Sequence, residues 1–133
     1  MVVQSPTAPV SVSNTPGGAT PREAVQKFMA AAKSQDLQAM SMAWGTSSGP
    51  ASATMDQTER DQREVVMMCY LKHDTYSIIS DAPAANNERI FAVELRFKGL
   101  TKSSNFTATR GPSDRWYLRA FDPEPLKEIC ATR

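Results

Sequence analysis

Residues 65–79 read VVMMCYLKHDTYSII, and the fold turns on what happens inside them. The stretch follows DQTERDQRE, residues 56–64, a polar segment that Asp56 is placed to cap as a helix. Beyond Lys72 the composition changes to the β-branched and aromatic residues of a strand, HDTYSIIS. The reading is a helix from about Asp56 to Leu71 that hands over to a strand at His73-Asp74. Its charged front is expected to be solvated all round. Its back half is expected to turn Val65, Val66 and Cys69 inward, one turn after Gln62.

Everything before this junction reads helical. Thr20 is an N-cap, Pro21 takes the first helical position and Glu23 completes a capping box. Val25, Phe28, Met29 and Ala32 then form one apolar face. Asp36 can cap a second short helix carrying Leu37, Met40 and Trp44, which stops at Gly45. Residues 45–54, GTSSGPASAT, read as a loop by composition.

Everything after the junction reads extended. In ERIFAVELRFK, residues 88–98, Phe91, Val93, Leu95 and Phe97 alternate with Ala92, Glu94, Arg96 and Lys98, a strand with one wet face. Gly99 leads to a third strand near Ser103–Arg110, and GPSD at 111–114 turns into the fourth, RWYLRAF at 115–121. Asp122 caps a short C-terminal helix with Pro123 first and Leu126, Ile129 and Cys130 on its apolar side. The order ααα-ββββ-α defines an α+β fold with the N-terminal helices on one face of a curved, antiparallel four-stranded sheet.

A chain of 133 residues suits one domain. Residues 1–19 carry no charge, three prolines and many Ser and Thr, so they read as a flexible linker, with the domain spanning 20–133. Fifteen basic against fourteen acidic residues argue against a cationic nucleic-acid binder. The sheet region is the exception: residues 88–119 hold seven basic side chains against three acidic ones. No nucleic-acid partner is expected, because Arg and Lys are ordinary occupants of a wet sheet face. No apolar run reaches eighteen residues, and no signal peptide follows Met1, so membrane contact is expected only through an anchor outside this sequence.

Two cysteines and one histidine exclude structural zinc, and no cofactor motif is present. A single disulfide or two buried thiols remain open. The seven methionines lie mostly on the helices and read as adaptable core filler. Asn105-Phe106-Thr107 matches an N-glycosylation sequon, which has meaning only in a secreted eukaryotic protein.

The succession TPREAVQKFMAAAKSQDLQAM, AWGTSSGP, LKHDTYSII and FTATRGPSDRWYLRAF, over about residues 20–131, resembles the nuclear-transport-factor and ketosteroid-isomerase-like superfold, the cystatin-like cone. The nearest likeness is to its small bacterial lipoprotein-type members. The resemblance implies a sheet wrapped round the long helix with a pocket between them. It also implies a non-catalytic binding or assembly domain at the cell envelope, extracytoplasmic and lipid-anchored upstream of Met1. The partner would be an envelope protein or a small apolar ligand in the cone, and a homodimer through the sheet is possible. In such members a C-terminal segment packs back across the helices, which implies a Cys69–Cys130 disulfide that an oxidising compartment would preserve.

The same superfold includes isomerases and dehydratases, so fold alone does not deliver function. The catalytic alternative uses His73 or Asp74 as general base, with Tyr76 aimed at a developing oxyanion. Tyr117 and Glu94 are the other polar candidates. Glu94 falls on the face opposite Phe91, Val93, Leu95 and Phe97 and is expected to meet solvent.

Overall fold

In the computed structural model, which describes residues 15–133, helices precede a four-stranded sheet and a short helix closes the chain. Helix α1 spans Pro21–Lys33 and begins where Thr20 accepts a hydrogen bond from the Glu23 amide at 3.1 Å. The Glu23 carboxylate reaches back one residue further than a capping box requires and accepts from the Ala19 amide. Helix α2, Leu37–Ala43, starts on the Asp36 side chain, which accepts from the Ala39 amide.

Residues 45–54 are more ordered than their composition suggests. Strands β1, Gly45–Thr46, and β2, Gly49–Pro50, pair antiparallel, and a single helical turn, α3, follows at Ala51–Thr54. The local reason is crowding. A Cβ on Gly45 would sit 2.3 Å from the Gly49 carbonyl, so glycine lets the two backbones meet. Helix α4, Gln57–Tyr70, is capped by Asp56, which accepts from the Thr58 and Glu59 amides.

Strands β3 (Thr75–Ala84), β4 (Glu88–Phe97), β5 (Leu100–Arg110) and β6 (Trp116–Phe121) form an antiparallel meander in that order. Residues Lys98 and Gly99 make a two-residue turn with both φ positive, between the paired Phe97 and Leu100. Asn86 and Asn87, also at positive φ, close the β3–β4 hairpin. Register shifts at Ile78/Ser80 and Thr107/Ala108 are bulges that bend the outer strands.

The alternating residues Phe91, Val93 and Leu95 are fully buried, as their period demands, beside Phe106, Ala108 and Leu118. Helix α1 lies across β5 and β6 and buries Val25, Phe28 and Met29 against them. A 3₁₀ turn, Glu124–Leu126, and helix α5, Lys127–Ala131, close the core with Leu126 and Ile129. The expected Asp122 cap is not formed: Pro123 is the N-cap of the 3₁₀ turn and Leu126 that of α5, neither with a side-chain cap, while Asp122 accepts from the Glu124 amide two residues on, a local turn bond.

Residues 1–14 of the expected linker lie outside the described residues. Its last five residues are bonded into the domain. Gly18 pairs with Trp116 in both directions at 2.8 and 2.9 Å, and the Gly17 amide donates to the Met42 carbonyl. Lys27 and Arg115 donate to carbonyls of this segment, so it covers the β6 edge of the sheet.

Helix α4 is rotated from the expected phase. Val65 and Val66 are 54% and 57% exposed, whereas Glu64, at the end of the supposedly solvated front, is fully buried. The inward side runs through Arg60, Glu64 and Leu71, with Met67 and Met68 packed on the core.

Cys69 and Cys130 are joined in a disulfide, with Cα atoms 4.7 Å apart. The bond fastens the last turn of α4 to α5, and Lys72 adds a 2.6 Å hydrogen bond to the Thr132 carbonyl. Closing a loop of this length should stabilise the domain by about 4 kcal/mol in the chain-entropy model. Denaturant unfolding with and without reductant should show a loss of that order. Thiol titration of unfolded, unreduced protein should find no reactive thiol.

Candidate functional site

A groove of about 440 Å³ lies between α4 and β6. Trp44, Val66, Met67, Tyr70 and Phe121 supply its apolar wall, with Ala120 and Pro123 beside them. Its polar lining is Gln62, Arg63 and Arg119. Two local facts place these residues. The rotation of α4 that buries Glu64 turns Val66 outward, and Trp44 leaves α2 extended, bridging to Leu118 beside β6. The Arg63 guanidinium lies over the Trp44 ring at 5.2 Å. The volume falls within the roughly 300–1,000 Å³ of small-molecule sites.

The sequence candidates stand elsewhere. His73 is 7% exposed, and its Nδ1 donates to the Leu71 carbonyl at 2.8 Å. That acceptor places the proton of the neutral ring on Nδ1. Burial pushes its pKa below the usual imidazole value. Tyr76 meets the His73 ring edge-on at 5.3 Å, and burial raises its hydroxyl. The Asp74 carboxylate accepts from the Lys98 amide, its own amide donates to the Arg96 carbonyl, and Lys33 bonds the carbonyls of His73 and Asp74. These contacts make residues 73–74 a clasp joining α1 to the β4–β5 turn. None of His73, Asp74 and Tyr76 lines the groove.

Glu94 pairs with Arg96 and Tyr117 is buried near the strap at Gly17. The seven basic side chains of residues 88–119 are spread over intramolecular partners. Arg89 meets Asp81, Arg96 meets Glu94, Lys102 meets Glu128, Arg110 meets Asp114 and Arg119 meets Glu88. Arg115 bonds the carbonyls of Pro16 and Gly17, and Lys98 that of Arg133. Among the described residues no group of three His, Cys, Asp or Glu side chains is placed to hold a metal ion, and no helix is long and apolar enough to cross a membrane.

Sequence reasoning missed Glu64. Its Oε2 lies 2.6 Å from the Ser41 hydroxyl, which also contacts the Leu37 carbonyl at 2.9 Å. A hydroxyl has one proton to give. The Ser41 hydroxyl is therefore shared between two acceptors, the Glu64 carboxyl and the Leu37 carbonyl. Burial raises the Glu64 pKa, against weaker opposition from the Ser41 hydrogen bond and Arg60. Oε1 of Glu64 and Nε of Arg60 are buried without a hydrogen-bond partner among the described residues.

No protein-family model matches the chain, and no curated protein matches it. Among solved structures it is similar to an NTF2-like protein of unknown function from Cytophaga hutchinsonii. The two are 14% identical with a TM-score of 0.43, over 81% of this chain and 95% of that one. A likeness this distant carries no functional argument.

The raised Glu64 pKa fixes a sign. Its contribution to stability is complete below the unfolded-state pKa and is lost as pH rises through the higher folded-state value. Glu64→Gln removes that titration and leaves His73, which acts in the opposite direction, unchanged. The stability of the variant relative to the natural protein should therefore grow between pH 4 and pH 8. Urea unfolding of both proteins across that range measures it. A constant difference would contradict the raised Glu64 pKa.

Proposed function

We propose that this chain is a non-catalytic binding domain of the cone superfold, exported and lipid-anchored at the bacterial cell envelope, whose site is the groove between α4 and β6. One observation carries the binding assignment. The groove between α4 and β6 has an apolar, aromatic lining in which Val66 is 57% exposed. The ligand class is a small, largely apolar molecule. The Cys69–Cys130 disulfide supports export, because such bonds persist in oxidising compartments and are rare in a reducing cytosol. Exposed Ile79 and Ile90, on β3 and its neighbour β4, support a contact through the sheet with an envelope protein or a second copy. The isomerase alternative loses ground, since the hydrogen bonds of His73 and Asp74 serve the junction.

A neutral fluorescent probe, N-phenyl-1-naphthylamine, should bind the oxidised full chain at one site and accept energy from Trp44. Val66→Asp should weaken that binding by about tenfold or more, since it sets a charge in the apolar wall. His73→Gln and Asp74→Asn should stay within a few-fold of the natural protein. Equal losses at His73 and Val66 would move the site to the junction. Rapid alkylation of thiols in cells of the source organism tests export: a reduced Cys69–Cys130 pair there would sink it.

A further inference from the structure

We propose that the groove takes an anionic amphiphile, an acyl chain ending in a carboxylate, with the head on Arg63 and Arg119; this rests on the groove being the binding site. The lining decides the sign of the head. Among the described residues its charged groups are two guanidiniums, while Glu59 and Glu88, their acidic partners, are not part of the wall. A cationic head would face two guanidiniums in the lining. A neutral head would leave their spare donors without an anionic acceptor.

Both arginines are held in place with donors to spare. Arg119 donates Nε and Nη2 to the two Glu88 oxygens at 2.6 and 3.2 Å, which fixes the fork and leaves Nη1 without a partner among the described residues. Arg63 contacts Glu59 through Nη1 alone, at 3.6 Å, while its guanidinium lies over Trp44. The positive groups therefore border the aromatic wall directly. Val66, Met67, Tyr70 and Phe121 continue that wall as a surface for methylenes.

Dodecanoate, dodecanol and dodecyltrimethylammonium, each below its aggregation concentration, should be titrated into the oxidised full chain by calorimetry. Dodecanoate should bind once per chain, about tenfold tighter than dodecanol, and more weakly as salt is raised. Decanoate should bind about tenfold more weakly than dodecanoate. Combined Arg63→Gln and Arg119→Gln should abolish the preference for dodecanoate over dodecanol. Arg119→Lys should keep part of the preference, and unchanged melting curves would show that the variants fold.

Dodecanol binding as tightly as dodecanoate would overturn the anionic head while leaving an apolar site in place. Binding of the naphthylamine probe but of none of the three amphiphiles would overturn the acyl chain. Preference for the ammonium compound would overturn the assigned charge.

Discussion

The covalent tie between Cys69 and Cys130 is the constraint on which the rest of this structure depends. Helix α4 enters the core through a narrow stripe, and Glu64 is its one fully buried side chain between Gln57 and Tyr70. A helix with so little apolar burial has a weak grip on its neighbours. Helix α5 spans only five residues and has no independent stability. The disulfide joins these two weak elements to each other, while Leu126 and Ile129 anchor the pair on the core. Because α4 is one wall of the groove and β6 the other, the tie also sets the width of the candidate site.

Glu64 decides which way α4 faces. Successive helical residues differ by about 100°, so burying residue 64 beside Ser41 turns residues 65 and 66 outward. The buried acid is costly, and its burial raises its pKa. It also orients the helix, since Arg60 one turn earlier donates to the carbonyls of Ala51, Ser52 and Met55 at the end of α3. A polar stripe thus docks α4 and leaves Val66 to the groove. Stability at the docking face is exchanged for apolar surface at the site.

The junction that first draws attention, His73-Asp74, has a mechanical role. Lysine and aspartate bonds there fasten α1, the end of the α4 segment and the β4–β5 turn at one point. A histidine whose Nδ1 proton is committed to a carbonyl, and whose burial disfavours its charge, keeps its ring fixed across the physiological range.

What the sequence alone determined is whatever rests on neighbours a few residues apart. Thr20, Asp36 and Asp56 cap helices because a side chain at the N-cap reaches the amides two or three residues on. The alternation of Phe91, Val93 and Leu95 marks a buried strand face because extended backbone repeats every two residues. The phase of α4 was not legible: residues 65–71, VVMMCYL, are apolar on every side of the helix, so no face is singled out. Nor did composition expose the short β1–β2 pair or the bonding of Gly17 and Gly18 to the sheet edge, since these rest on close approach between distant backbones. Only the tertiary structure brought Ser41 to Glu64 and Trp44 to Arg63. The groove is made by elements that are unrelated in sequence and meet because α4, α5 and the sheet share one core.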